Sequence, residues 1–150
     1  DIDDSTAIVP GTDGQKMSKS YGNTINIFDS EEKLKKSVMS IVSDSSGIDE
    51  AKNPDTSVLF GIYSLFLNLS EKEQLRDRFL TPGLRYGDVK KELFSRVMEY
   101  FSPFRKIREE FAKNKNLVSE ILVAGARKAT VAAMPQIETA RKNLGLKGHL

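Results

Sequence analysis

Apolar residues recur at helical spacing along most of the chain beyond residue 29. Leu34, Val38, Ile41 and Val42 fall on one face of a first predicted helix, and Asp29 and Glu32 in front of them have the spacing of a capping box. A polar linker from Ser43 to Pro54 follows. Val58, Leu59, Ile62, Leu65, Phe66 and Leu69 then repeat at helical spacing, and Ser70 with Glu73 offers a second capping box for a short helix through Leu80. Thr81, Pro82, Gly83 and Gly87 punctuate the next turn. Asp88 is placed to cap a long helix with a stripe of Val89, Leu93, Val97, Tyr100, Phe101 and Phe104, which reads as core. Pro103 is expected to kink or divide this helix near Ser102. Asn116 is placed to cap a last helix through about Leu144, with Pro135 as a second kink and Gly145 as the stop.

The first 28 residues follow a different pattern. Ser5 to Val9 are short and partly β-branched, and Pro10 and Gly11 close them, so they read as a strand entering a loop. The loop continues to about Phe28, holds Gly11, Gly14 and Gly22 among polar residues, and has no helical period. The expected fold class is therefore mostly α: a short strand and loop over 1–28, then a helical bundle over 29–150 with apolar faces enough for its own core.

Composition narrows the possible functions. The 150 residues suit one domain, or a small piece of one followed by a complete one. With 39% hydrophobic and 29% charged residues the chain is in the globular range. No apolar run approaches the roughly 20 residues of a membrane helix, and the acidic start Asp1, Ile2, Asp3, Asp4 is unlike a signal peptide. Cysteine is absent and the single histidine is His149, so disulfides, thiolate metal sites and a Ser/His/Asp triad lack material, and a cytoplasmic location is expected. Residues 1–60 hold 6 basic and 11 acidic side chains, leaving 17 basic and 10 acidic in 61–150. The basic excess thus lies in the second part, where it suits either an anionic partner or a solvated helical face. A first residue of Asp rather than Met suggests an excerpt of a longer protein.

The strongest chemical signal is Lys16, Met17, Ser18, Lys19 and Ser20, set between Gly14 and Gly22. Two ammonium groups three positions apart suit phosphate oxygens, hydroxyls donate short hydrogen bonds to them, and small flanking residues let the main chain approach an anion. Such a segment can wrap a triphosphate. Five specified residues recur by chance on the order of once per million positions.

This string is the KMSKS signature of class I aminoacyl-tRNA synthetases, and the chain resembles the C-terminal part of the tryptophanyl-tRNA synthetase family. Tyr21, Gly22, Asn23, Thr24 and Ile25 after the motif are similar to that family. So are Ser43, Asp44 and Ser45, then Arg85, Tyr86, Gly87 and Asp88, and Gly125, Ala126, Arg127, Lys128 and Ala129. Ser43 stands where members often have threonine. Gly125 and Ala126 also suit two helices packing closely.

The resemblance implies that 1–28 is the end of a Rossmann-type catalytic domain missing from this chain, and that 29–150 is a helical domain reading the tRNA anticodon. It implies ATP as substrate with Mg²⁺, L-tryptophan and tRNA(Trp) as partners, a homodimeric parent enzyme, and no membrane. Lys16 and Lys19 would be catalytic, neutralising charge on departing pyrophosphate. Main chain near Met17 would contact adenine, and Ser18 and Ser20 would support the phosphates. The basic surface of 85–147 would meet tRNA phosphates.

The family's second signature, of the His-Ile-Gly-His type, is absent from these residues. The 150 residues alone are therefore expected to be inactive. Two alternatives stand beside this reading: another class I synthetase, with the tyrosyl enzyme the nearest relative, and a free-standing helical RNA-binding module that retains the loop as a remnant.

Overall fold

The computed structural model describes residues 8–146. Among the described residues five α-helices run in chain order: α1 (Glu31–Met39), α2 (Val58–Ser64), α3 (Leu69–Leu80), α4 (Tyr86–Lys113) and α5 (Lys115–Asn143). The described residues form no sheet. Of the expected strand, Ser5 to Ala7 lie outside the described residues, and Ile8 and Val9 are not in a ladder. What pairs instead is one antiparallel bridge between Pro10 and Lys16.

Helices α1, α2, α3 and α5 begin where a side chain accepts an orphan amide, and three times a residue other than the expected one does so. At α1 the cap is Ser30, whose Oγ accepts from the Lys33 amide, rather than Asp29. Asp29 is otherwise engaged, since its side chain accepts from Asn26 Nδ2 at 3.2 Å and its carbonyl from Arg105 at 2.8 Å. At α3 a full capping box is present, but it is Asn68 with Glu71, two residues before Ser70 and Glu73. Arg96 of α4 also grips the Glu71 carboxylate, a tertiary contact that favours the earlier register.

Two further boundaries move. The long helix α4 starts at Tyr86, with Asp88 inside its first turn and paired to Lys91 at 3.0 Å. The last is capped by Asn114 rather than Asn116. Neither Pro103 nor Pro135 divides its helix. At the far end Gly145 does stop α5: at φ 67° its amide reaches the Lys142 carbonyl and that of Leu146 reaches Arg141. That pair of bonds is the Schellman pattern, which requires the left-handed conformation glycine adopts freely.

Two compact units result, Asp1–Arg105 and Lys106–Leu150. The first contains the core: Leu34 and Val38 of α1, Ile41 just beyond it, Leu59, Phe60, Ile62 and Tyr63 of α2, Leu75 and Phe79 of α3, Leu84, and Val89, Leu93 and Val97 of α4. Phe60 and Phe79 meet edge to face at 5.3 Å. Val42, Leu65 and Leu69, expected on buried faces, are exposed because α1 ends at Met39 and α2 at Ser64, which breaks the spacing that would have turned them inward. Further along α4, Phe101 packs against the core while Tyr100 and Phe104 are largely exposed.

The second unit is built differently. No residue of α5 is buried, and a Cβ on Gly125 would meet nothing within 4 Å, so close helix packing is not what this glycine serves here.

Candidate functional site

Residues 9–23 form a closed loop whose base is a narrow hairpin. Val9 accepts the Met17 amide at 3.0 Å, and the Gly11 amide donates to Gln15 at 2.7 Å. The turn between them closes with Gly14 donating to the Gly11 carbonyl, and Gly14 sits at φ 83°, which only glycine adopts without strain. A Cβ at Gly14 would also lie 2.7 Å from Cγ2 of Val58, so the tip of the hairpin rests on the start of α2.

Lys16, Met17, Ser18, Lys19 and Ser20 are brought together by this hairpin and a single 3-10 turn over Lys19–Tyr21, which the sequence pattern gave no sign of. Ser18 caps that turn, its Oγ accepting from the Ser20 amide at 3.2 Å, and Gly22 ends it at φ 67°. Lys16, Lys19 and Ser20 are exposed, while Met17 and Ser18 are half-buried. Ion pairs join Arg76 to Asp55, Arg78 to Glu92, Lys91 to Asp88 and Arg96 to Glu71, and neither loop lysine takes part in them. Two ammonium groups therefore stand in solvent on a short, hydrogen-bonded scaffold, the arrangement that suits a polyphosphate.

Met17 also lines an apolar groove of about 310 Å³ with Val9, Ile25, Ile27, Phe66 and Phe101. The loop's exit is anchored by Arg105, whose guanidinium donates to the carbonyls of Ile27 and Asp29. The Val42 amide returns to the Thr12 carbonyl at 2.8 Å. The first tie joins the loop to α4 and the second to the segment after α1.

The sequence pattern did not show which polar residues of this unit are buried. Asn23 is only 3% exposed; its side chain contacts Asp13, Lys16 and Ser18. Lys52, in the linker expected to be merely polar, is 2% exposed, with Nζ donating to the carbonyls of Gly47 and Glu50 at 2.9 and 3.0 Å. Its Nζ lies 5.3 Å from the centroid of the Tyr86 ring. Tyr86 Oη in turn donates to Asp44 at 2.8 Å, so two of the short segments singled out in the sequence, 43–45 and 85–88, meet in space.

Comparison with known proteins agrees with this picture. Residues 5–102 match the family described as tRNA synthetases class I (W and Y). The chain is 48% identical over 147 residues to a tryptophan–tRNA ligase of Fusobacterium nucleatum, covering 98% of this chain and 45% of that protein. It is 41% identical over 144 residues to the enzyme of Rhodopirellula baltica, covering 96% and 45%. Among solved structures, a tryptophanyl-tRNA synthetase of Campylobacter jejuni complexed with ADP and tryptophan superimposes with a TM-score of 0.86 at 38% identity, over 97% of this chain and 46% of that one. The chain thus spans a little under half the length of the curated relatives it matches.

Proposed function

Because the chain belongs to the class I tRNA synthetases of the tryptophan and tyrosine family, we propose that it is the C-terminal portion of a tryptophan–tRNA ligase. In this reading 1–28 completes a Rossmann-type catalytic domain and carries its KMSKS loop, and 29–150 is the anticodon-binding domain. The parent enzyme, a cytoplasmic homodimer, activates tryptophan with ATP to the aminoacyl-adenylate and transfers the tryptophanyl group to tRNA(Trp), releasing AMP. In the first step a carboxylate oxygen of tryptophan attacks the α-phosphorus of ATP, the bond to the β-phosphate oxygen breaks, and pyrophosphate leaves with the bonding electrons. Negative charge grows on that leaving group. Lys16 and Lys19 neutralise it, Ser18 and Ser20 support the phosphates, and no protein nucleophile is needed. Mg²⁺ enters with the ATP as part of the substrate; among the described residues no group of three or more His, Cys, Asp or Glu is placed to hold a metal ion.

The observation that carries the reading is the pair of solvent-exposed lysines on a loop whose main chain is fixed by hydrogen bonds. The tryptophan specificity is supported by the relatives, which are tryptophan–tRNA ligases at 36 to 48% identity. The test is tryptophan-dependent ATP–pyrophosphate exchange by the intact protein. Replacing Lys16 or Lys19 with alanine is expected to slow exchange by about 10²–10³-fold each, the cost of one transition-state donor, with tryptophan binding little changed. Equal losses in rate and in tryptophan affinity would sink the catalytic reading of the loop. The 150 residues by themselves are expected to show no exchange.

A further inference from the structure

We infer that Asn23 is a positioning residue for both loop lysines: one buried amide sets the main-chain geometry from which Lys16 and Lys19 project. The inference rests on the reading above, in which those lysines grip pyrophosphate, and adds a residue to it.

The Asn23 side chain makes three bonds in three directions. Oδ1 accepts the Ser18 amide at 2.8 Å, and Nδ2 donates to the Lys16 carbonyl at 3.2 Å and to Asp13 Oδ1 at 2.8 Å. It therefore holds the peptide groups on both sides of Met17. Chemistry fixes its orientation, because a main-chain N–H can only donate and an ionised carboxylate can only accept. A flipped amide would face like with like at all three contacts.

Its influence reaches Lys19 through Ser18. The residue whose amide Asn23 holds is the cap of the 3-10 turn that carries Lys19, and Gly22, immediately before Asn23, ends that turn. Lys16 is reached directly through its carbonyl. The amide itself cannot drift, since the Asn23 carbonyl accepts the Thr12 amide at 2.9 Å and its side chain fills the space beside Gly11. A Cβ at Gly11 would lie 2.4 Å from the Asn23 Cγ, so this glycine is what lets the amide sit so close to the hairpin. The lowered pKa of Asp13, caused first by its bond to Asn23, agrees with a carboxylate that stays ionised and keeps the amide aimed.

A lysine that bears on a developing charge only in the transition state loses its effect when displaced by about 1 Å, a misplacement that can cost roughly 100-fold in rate. The experiment uses the intact protein in tryptophan-dependent ATP–pyrophosphate exchange. Asn23→Asp keeps the shape and the acceptor while removing both donors. It is expected to lower kcat by about 100-fold with KM for tryptophan within about twofold of wild type. Added to Lys19→Ala, it should cost about tenfold further, well under its cost alone, because only the part of its effect that acts through Lys16 remains. A retained kcat, or losses that multiply, would overturn the inference. Asp13→Ala alters an exposed side chain and so serves if the Asn23 variant does not fold: a drop of about tenfold in kcat supports the inference and an unchanged kcat overturns it. Should Lys16→Ala and Lys19→Ala leave exchange intact, the catalytic reading itself falls, and this inference with it. Should they abolish exchange while the Asn23 and Asp13 variants keep it, the positioning role alone is wrong.

Discussion

Tyr86 Oη lies 2.8 Å from the Asp44 carboxylate, across 42 residues of sequence, and donates to it. Asp44 is held below its ordinary 3.8 chiefly by Ser46, through its hydroxyl and then its amide, with Tyr86 adding to the effect. Burial first, and then the same bond to Asp44, pushes the Tyr86 phenol far above its ordinary 10.0.

These shifts give stability a plateau with two edges. A depressed carboxylate contributes above its unfolded value and loses that contribution as pH falls through the folded one, below about 4. A raised phenol contributes below its unfolded value and loses it as pH rises beyond about 10. Thermal melts across pH should show Tyr86→Phe about 1 kcal/mol less stable near neutrality, a value reduced for partial exposure. The same variant should also lack the alkaline fall that this phenol causes. An alkaline edge identical to that of wild type would mean that folding does not raise this phenol, and equal stability near neutrality would mean that the bond does not contribute.

The hairpin tip makes a second prediction. Gly14→Ala places a side chain at φ 83° and 2.7 Å from Val58 Cγ2, so both conformational strain and a clash oppose it. The expected loss is about 2–4 kcal/mol. With Val58→Ala already present the clash is gone, and the further cost of Gly14→Ala should shrink to about 1–2 kcal/mol. Denaturant unfolding of the four proteins checks it, and strictly additive losses would count against the contact.

Helix capping offers a third. Asn68→Ala removes the acceptor for the Glu71 amide and one half of a reciprocal box, at a cost of about 1 kcal/mol. Ser70→Ala, three residues before a glutamate just as Asn68 is, should change stability by less than about 0.5 kcal/mol because Ser70 is inside the helix. Chemical denaturation distinguishes them, and a larger loss at Ser70 would move the start of α3.

Core and surface should separate cleanly. Phe79 is fully buried and meets both Phe60 and Tyr86 edge to face, so Phe79→Ala is expected to cost about 3–5 kcal/mol. Val131 on α5 is 75% exposed in this chain, and Val131→Ala should stay within about 0.5 kcal/mol. Comparable losses in equilibrium unfolding would mean that α5 buries this face after all.

Much of the fold was legible because helices advertise themselves through apolar spacing. Leu34, Val38, Leu59, Ile62, Val89, Leu93 and Val97 all point inward as their periods require. The phosphate-binding candidates were legible too, since Lys16 to Ser20 are contiguous and need no folding to become neighbours in the chain. The helix starts were less so. Asn68 and Ser70 satisfy the same local rule, and only Arg96, 25 residues beyond Glu71, favours one over the other.

What the sequence determined by itself is therefore what local chemistry determines: the helical period, the glycine stop at Gly145 and the cationic loop with its family resemblance. The tertiary structure decided which polar residues are buried. Lys52 looks like an ordinary linker residue, Asn23 and Asp44 stood out only through the family resemblance, and the contacts of all three exist only because Asp13, Gly47 and Tyr86 are brought within hydrogen-bonding reach. A hydrogen bond depends on distance in space, and sequence spacing fixes that distance only within one turn or one helix.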